Sequence, residues 1–444
     1  MSAQSRDPAR IRAAAVAFRR DESFARQLDA EDPLAAYRER FHIPRRADGQ
    51  PVIYFCGNSL GLEPKAARAI IERELDAWER LAVDAHFKAE SPWYSYHEIF
   101  RETGARLVGA LPGEVVMMNG LTVNLHLMLV SFYRPTPARH KILIEDSAFP
   151  SDAYAVKSQI RYHGLDPAGS LLIARPRTGE ALIRTEDIEA LLEERGEEIA
   201  LVMLSGVHYL TGQVFDIERI AAAARRQGCA VGFDLAHAAG NVILKLHDWQ
   251  VDFAVWCSYK YLNGGPGAVA GCFVNQAHGK DKTVPRFAGW WGNDPDTRFL
   301  MHLQTEFAPR DGAEGWQLSN PPILAMAPLR ASLGIFDEVG MEALRAKSVR
   351  LTGYLQYLID HIPSERFQVI TPRDPSARGC QLSIRVREQP GELLQALAAE
   401  RIVVDFREPD VIRAAPVPLY NTFHEVWRFA EVLGRRAASV ATRG

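Results

Sequence analysis

From about residue 114 to residue 275, short apolar runs alternate with segments of helical period, and no other feature restricts the fold so strongly. The runs VVMM (115–118), KILIE (141–145), SLLIA (170–174), IALVMLS (199–205), CAVGFD (229–234) and DFAVW (252–256) read as strands. Between them TVNLHLMLVSFY (122–133), DAYAVKSQIRYHG (152–164), TEDIEALLEERG (185–196) and IERIAAAARRQG (217–228) read as helices. Strands that are apolar along their whole length, rather than at every second residue, are covered on both faces. That pattern predicts an α/β fold whose mainly parallel sheet lies between helices. AGCFVN (270–275) is predicted as an antiparallel return strand.

The flanks have a different texture. Residues 8–45 read as charged amphipathic helices. PVIYFC (51–56) is a short strand, GNSLG (57–61) a glycine turn, and residues 65–81 a helix with Ala67, Ile70, Ile71, Leu75 and Trp78 on one face. After residue 320 two long helices (322–340 and 341–362) lead into a small α+β unit. There CQLSIRV (380–386), RIVVDFR (401–407) and VIRAAPV (411–417) are strands, and residues 391–400 and 421–440 are helices. The expected organisation is an N-terminal helical segment, 1–50, packing with the small domain; a large domain, 51–320; and a small C-terminal α+β domain, 321–444. The loops around 276–320 are long, aromatic and glycine-rich, and long structured loops are often functional.

Composition excludes several classes. With 444 residues, 47% apolar and 24% charged, the chain can bury a large core and is not disordered. Its 52 basic and 55 acidic residues give a net charge of −3, so no basic field is available for nucleic acid or an anionic membrane. The five cysteines (Cys56, Cys229, Cys257, Cys272, Cys380) contain no C-x-x-C pair and lie in apolar stretches. They read as buried thiols of a reducing compartment, with no metal site or disulfide framework. No apolar run approaches the roughly 18–20 residues of a membrane span. The first twenty residues lack an apolar signal core, and Asp7, Asp21 and Glu22 interrupt an acid-poor transit pattern, so a cytoplasmic location is expected.

Three motif matches fail on context. GNSLG fits G-x-S-x-G, with Ser59 as a nucleophile, but a hydrolase elbow needs strands and an oxyanion loop upstream. GPGAVAG (265–271) imitates a dinucleotide fingerprint yet runs into a strand instead of opening a helix. His97-Glu98 and His424-Glu425 begin H-E-x-x-H, but Arg101 and Arg428 stand at the second histidine positions.

The informative constellation is Asp234 at the end of one apolar strand, His237 three residues on, and Lys260 after the next strand, between Tyr259 and Tyr261 and ahead of a glycine hinge. In a parallel sheet both strand ends open on the ligand crevice. A lysine withdrawn from water attacks carbonyls, and a carboxylate facing a pyridinium nitrogen keeps it protonated. Pyridoxal phosphate needs this pair, together with a phosphate cradle at a helix N-terminus, which GLTVN (120–124) supplies. Another enzyme of the same cofactor class, such as an aminotransferase or cysteine desulfurase, remains compatible with these residues. So does a serine hydrolase built on Ser59.

A set of longer motifs resembles the kynureninase family: YFCGNSLGL (54–62), LTVNLHLML (121–129), SAFPSD (147–152), SGVHYLTGQ (205–213), DLAHAAGN (234–241), WCSYKYLNGGPG (256–267), GWWG (289–292), LSNPPI (318–323) and RAAPVPLYN (413–421). The resemblance covers residues 50–430. It implies the pyridoxal-phosphate transferase fold (fold type I) and hydrolytic Cβ–Cγ cleavage of L-kynurenine or its 3-hydroxy derivative, in tryptophan degradation or NAD biosynthesis. It implies Lys260 as the Schiff-base lysine, Asp234 as the pyridinium partner and His237 beside the cofactor. Phe149, Pro150, Ser151 and Asp152 surround the ring, Ser205 lies near its substituents, and Leu121 and Thr122 hold phosphate. Tyr259 binds phosphate and relays protons, and Trp290 reaches the phosphate of the other subunit of a homodimer. Arg413 grips the substrate's α-carboxylate, while His86 and Asn320 meet its aromatic end, Asn320 also being near the cofactor. Trp291 stands where relatives often carry phenylalanine.

Overall fold

The computed structural model describes residues 17–441. The readings placed on residues 1–16, the leader pattern and the start of the N-terminal helical segment, lie outside the described residues.

The alternating stretch forms a seven-stranded sheet. Numbering all strands along the chain, β1 is Ile53–Tyr54, β2 Val115–Met117, β3 Lys141–Glu145, β4 Leu171–Ala174, β5 Ile199–Ser205, β6 Ala230–Asp234, β7 Phe253–Trp256 and β8 Gly271–Val274. The sheet order is β2-β8-β7-β6-β5-β3-β4. Pairing is parallel from β4 through β7, and β8 runs antiparallel to both of its neighbours, as the return strand was expected to do. Residues of β5, β6 and β7 are buried almost throughout, because helices Leu121–Phe132, Pro150–Tyr162, Thr185–Arg195 and Ile217–Arg226 belong to the same layered unit. The parallel order brings the carboxyl ends of β3, β5 and β6 together, and with them Glu145, Ser205 and Asp234.

The small unit is built on β9 (Phe367–Val369), β10 (Leu382–Val386), β11 (Ile402–Val403), β12 (Asp405–Arg407) and β13 (Val411–Ala414). Four of them form an antiparallel sheet in the order β12-β13-β10-β9, while β11 pairs in parallel with β1. RIVVDFR, which reads as one strand, is therefore two. Its first half extends β1 and its second half turns at Val404 to the edge of the other sheet. Ile53 and Phe55 join the core formed by this sheet with helices Glu22–Ala30, Met341–Asp360 and Phe423–Ala441.

Helix Ala67–Leu81 buries Ala67, Ile70, Glu74 and Ala77 against helix Ile323–Val339. The apolar stripe expected there is divided: Leu75 is 43% and Trp78 60% exposed. These two lie one step round the helix from the packed face, so they enlarge an apolar surface in place of the core.

Candidate active site

Lys260 sits in a tight turn that begins where β7 ends. The Asn263 amide donates to Lys260 O at 3.0 Å and the Gly264 amide to Ser258 O at 2.8 Å. The GNSLG turn backs this loop. The Gly61 amide donates to Tyr259 O at 2.8 Å, and a Cβ on Gly61 would lie 2.3 Å from Lys260 O. The glycine is thus required by close backbone approach. Ser59, in the same turn, donates to Asp405 Oδ2 at 2.7 Å and has no histidine partner among the described residues, so nothing there equips it as a nucleophile.

The Lys260 side chain is 9% exposed, with Nζ 3.0 Å from His237 Nε2 and 5.7 Å from the centre of the Phe149 ring. Burial and the neighbouring cations Lys260, Arg413 and Arg407 push the His237 pKa well below the usual histidine range, so its imidazole is neutral. Asp234 is buried, and its Oδ1 accepts the Ala236 amide at 2.6 Å. Burial raises its pKa, while that amide and Lys260 act in the opposite direction. Asp152 lies against Asp234. Its carboxyl is held well above the usual range by burial first and by the Asp234 charge second, so Asp152 is the member of the pair that keeps a proton.

One cavity gathers most of the expected residues. Its lining includes Leu121, Thr122, Phe149, Ser151, Asp152, Ser205, Asp234, His237, Tyr259 and Lys260. Two helix N-termini meet there. Leu121 and Thr122 open one helix, Pro150, Ser151 and Asp152 the other, and Thr122 Oγ1 lies 3.1 Å from Ser151 Oγ. Paired helix N-termini carrying hydroxyls suit a phosphate. The Tyr259 phenol is raised above its ordinary value, mainly by burial, and stays protonated as a donor. Three buried polar atoms at the cavity, Ser205 Oγ, Asp152 Oδ1 and His237 Nδ1, lack a hydrogen-bond partner among the described residues. Buried polar atoms are normally paired, so these await a polar ligand, and a hydroxypyridine ring with a phosphate fits that need.

Sequence reasoning missed Glu145. It ends β3 as Asp234 ends β6, lines the same cavity, and accepts the Ser205 amide at 3.2 Å. The strand-end rule that singled out Asp234 applies equally to KILIE. Tyr209, another lining residue, packs edge-on to Phe149 with ring centres 5.4 Å apart.

Five expected residues stand apart from the lining, and Pro150 is one of them, placed beside it as the first residue of its helix. Arg413 is adjacent, donating through Nη1 to the main-chain oxygen of Tyr209 at 2.7 Å. Asn320 is exposed. His86 is half-buried, its Nδ1 3.0 Å from Val83 O and its ring packed edge-on to Trp93. Trp290 is 37% exposed and packs on Trp291, which is itself buried against His97, Tyr94 and Arg298. A desulfurase nucleophile is not available: all five cysteines are buried, and burial raises the Cys56 and Cys380 thiols to about 12 and Cys257 to about 11.

A family model described as the kynureninase C-terminal domain matches residues 344–433. The chain is 57% identical to a kynureninase of Koribacter versatilis over 94% of its own length and 98% of the relative's. It is 58% identical to one of Myxococcus xanthus, covering 94% and 97%, and 55% identical to one of Salinispora tropica, covering 93% and 96%. Among solved structures it is similar to the cysteine desulfurase CsdA of Escherichia coli, with a TM-score of 0.73 and 16% identity over 92% of this chain and 98% of that one. A cysteine desulfurase of Thermococcus onnurineus gives a TM-score of 0.70 at 16% identity, covering 87% and 95%. That likeness shows the fold: the large mixed sheet and smaller C-terminal unit of fold-type-I enzymes. Identity near 57% along almost the whole chain shows more, and the chain belongs to the kynureninase family.

Proposed function

We propose that this enzyme cleaves the Cβ–Cγ bond of L-kynurenine with water, giving anthranilate and L-alanine, with pyridoxal phosphate bound in the Lys260 cavity. On 3-hydroxykynurenine the products are 3-hydroxyanthranilate and L-alanine. The observation that carries the reading is that Asp234, at the end of β6, and Lys260, in the turn after β7, face one cavity that also holds three buried polar atoms without a partner among the described residues.

Bound pyridoxal phosphate supplies an electron-accepting ring that makes the bonds of the substrate's amino-acid carbons labile. Lys260 is the amine that would hold the cofactor, and it is the base placed to take the proton from the substrate's Cα. Asp234 holds the proton on the ring nitrogen, and Asp152, protonated, steadies the Asp234 charge. Neutral His237 keeps positive charge away from the Lys260 amine. Leu121, Thr122 and Ser151 would hold the phosphate, and Phe149 and Pro150 would contribute to holding the ring. Ser205 meets the ring's substituents. Tyr259, a phenol that keeps its proton, delivers one to the carbon that becomes the methyl group of alanine. Arg413 binds the α-carboxylate, and His86 and Asn320 meet the aryl end, Asn320 reaching the cofactor as well.

The working form in this reading is a homodimer in which Trp290 of each subunit approaches the cofactor phosphate of the other. Its support is the exposed aromatic group in which Phe87 and Trp290 both pack on Phe299, with Leu300 and Leu303 exposed on the same short helix. The large and small domains divide near residue 320. No helix among the described residues is long and apolar enough to cross a membrane. Five thiols without disulfides favour the cytoplasm, and the role is tryptophan breakdown or NAD synthesis. The test is the fluorescence of anthranilate: it rises when kynurenine meets the cofactor-loaded protein, and a flat trace with a fully loaded sample rejects the proposal.

A further inference from the structure

Arg413 lies on β13, and the antiparallel register sets Asp405 of β12 directly opposite it. Asp405 takes one edge of the guanidinium, with Arg413 Nε to Oδ1 at 2.9 Å and Nη2 to Oδ2 at 2.8 Å. Tyr209 O accepts from Nη1 at 2.7 Å, and Nη2 makes a long 3.4 Å contact with Ser59 Oγ. Arg413 is 1% exposed, so its orientation is set by these partners and not by water. Asp405 is held in turn. Ser59 Oγ donates to Oδ2 at 2.7 Å, and Arg407 Nε lies 2.9 Å from Oδ1. Two arginines against one aspartate leave the cluster with one positive charge in excess, which one ligand carboxylate balances.

We propose that Asp405 is the positioning residue of the substrate-carboxylate site. Gripping Arg413 by its Nε–Nη2 edge, with Ser59 and Arg407 as braces, it turns the remaining N–H groups toward a carboxylate beside the Lys260 cavity. This rests on the assignment of Arg413 made above. A planar fork fixed on one side offers its other donors without further loss of rotamer freedom, and that is how buried arginines gain selectivity for carboxylates. The motif GNSLG thereby acquires a second use: Gly61 supports the Lys260 loop and Ser59 braces the carboxylate site.

The experiment measures binding of L-alanine and of L-alaninamide to the cofactor-loaded enzyme by calorimetry. Wild type is expected to prefer the carboxylate by about tenfold or more, the size of a charge-assisted pair. Asp405→Asn, nearly the same shape, is expected to cut that preference to roughly threefold or less and to raise KM for kynurenine about tenfold with little change in kcat. Asp405→Glu, which keeps the charge one methylene away, is expected to fall between and serves as the readout should the asparagine variant not fold. An unchanged or larger preference in a folded Asp405 variant overturns the inference, because Asp405 would then compete for Arg413 instead of aiming it. If Arg413→Ala still prefers alanine, the assignment of Arg413 fails first, and the inference with it.

Discussion

Lys260 Nζ and His237 Nε2 are 3.0 Å apart, inside a cavity where the imidazole is held neutral by burial and by three neighbouring cations. A neutral ring beside an amine hydrogen-bonds with it without adding a repelling charge. Lys260→Ala is predicted to lower kynurenine turnover by at least about a thousandfold and to abolish the borohydride-stable cofactor adduct on the peptide that carries residue 260. His237→Gln is predicted to leave the adduct and slow turnover about tenfold. An adduct that persists in Lys260→Ala contradicts the site.

Asp234 is the buried carboxylate that meets the ring nitrogen in this reading, and its charge survives because Asp152 keeps a proton in its place. Asp234→Ala is predicted to reduce kcat by about a hundredfold or more, since a neutral pyridine is a poor electron sink. The visible spectrum of the bound cofactor should change as well. A normal rate with an altered spectrum would separate cofactor electronics from catalysis and remove Asp234 from the mechanism.

Glu145 gives a pH-dependent prediction. Burial pushes its carboxyl from 4.5 up to about 7. Between those values the folded cofactor-free protein keeps a proton that the unfolded chain has released. The stability this group supplies is therefore complete below the ordinary value and is lost as pH rises through 7. Glu145→Gln is neutral throughout. In urea unfolding the stability of wild type minus variant should fall by about 3 kcal/mol between about pH 4 and pH 8. A flat difference would mean that Glu145 titrates normally.

How much of this was legible beforehand follows from the range of each interaction. Asp234, Lys260 and the helix openings at Leu121 and Pro150 depend on where apolar strands stop, and strand ends are written locally. Asp405 was not legible. Its role comes from the register that pairs it with Arg413, and from Val404, where one apparent strand divides between two sheets. Leu75 and Trp78 misled because an apolar stripe on a helix does not say whether its own chain covers it. Glu145 could have been found with a rule already in use.

Glu314 ties the long 276–320 stretch to the rest of the large unit. It receives Arg101 Nε at 2.5 Å and Arg310 Nη1 at 2.8 Å, with His97 alongside. His97, Glu98 and Glu314 are close enough to suggest a cation site, but the two arginines already balance both carboxylates. Despite burial, these partners hold the Glu314 pKa down at about 2. Its contribution is present above 4.5 and lost as pH falls through about 2. Glu314→Ala leaves two partly buried arginines with only Glu98, and is predicted to cost about 3 kcal/mol of stability by urea titration near neutral pH. A loss below about 0.5 kcal/mol would mean that the network is no stronger than a surface pair.

Trp290 tests the shared site. It is part-exposed on an aromatic surface with Trp291 and Phe299, and it does not line the cavity of its own chain. If it serves the other subunit, Trp290→Ala and Lys260→Ala each disable both sites of their own homodimers. In a mixed dimer the two lesions fall on one site: the subunit lacking Lys260 is also the one approached by the altered Trp290. The other site then has its own lysine and an intact tryptophan. Refolding the two inactive variants together should therefore restore up to about a quarter of wild-type activity, since about half of randomly paired dimers are mixed and each carries one good site. The recovered activity should rise and fall with the mixed species when tagged subunits are separated. Lack of recovery in a preparation shown to contain mixed dimers would return Trp290 to its own subunit, where it packs on Trp291.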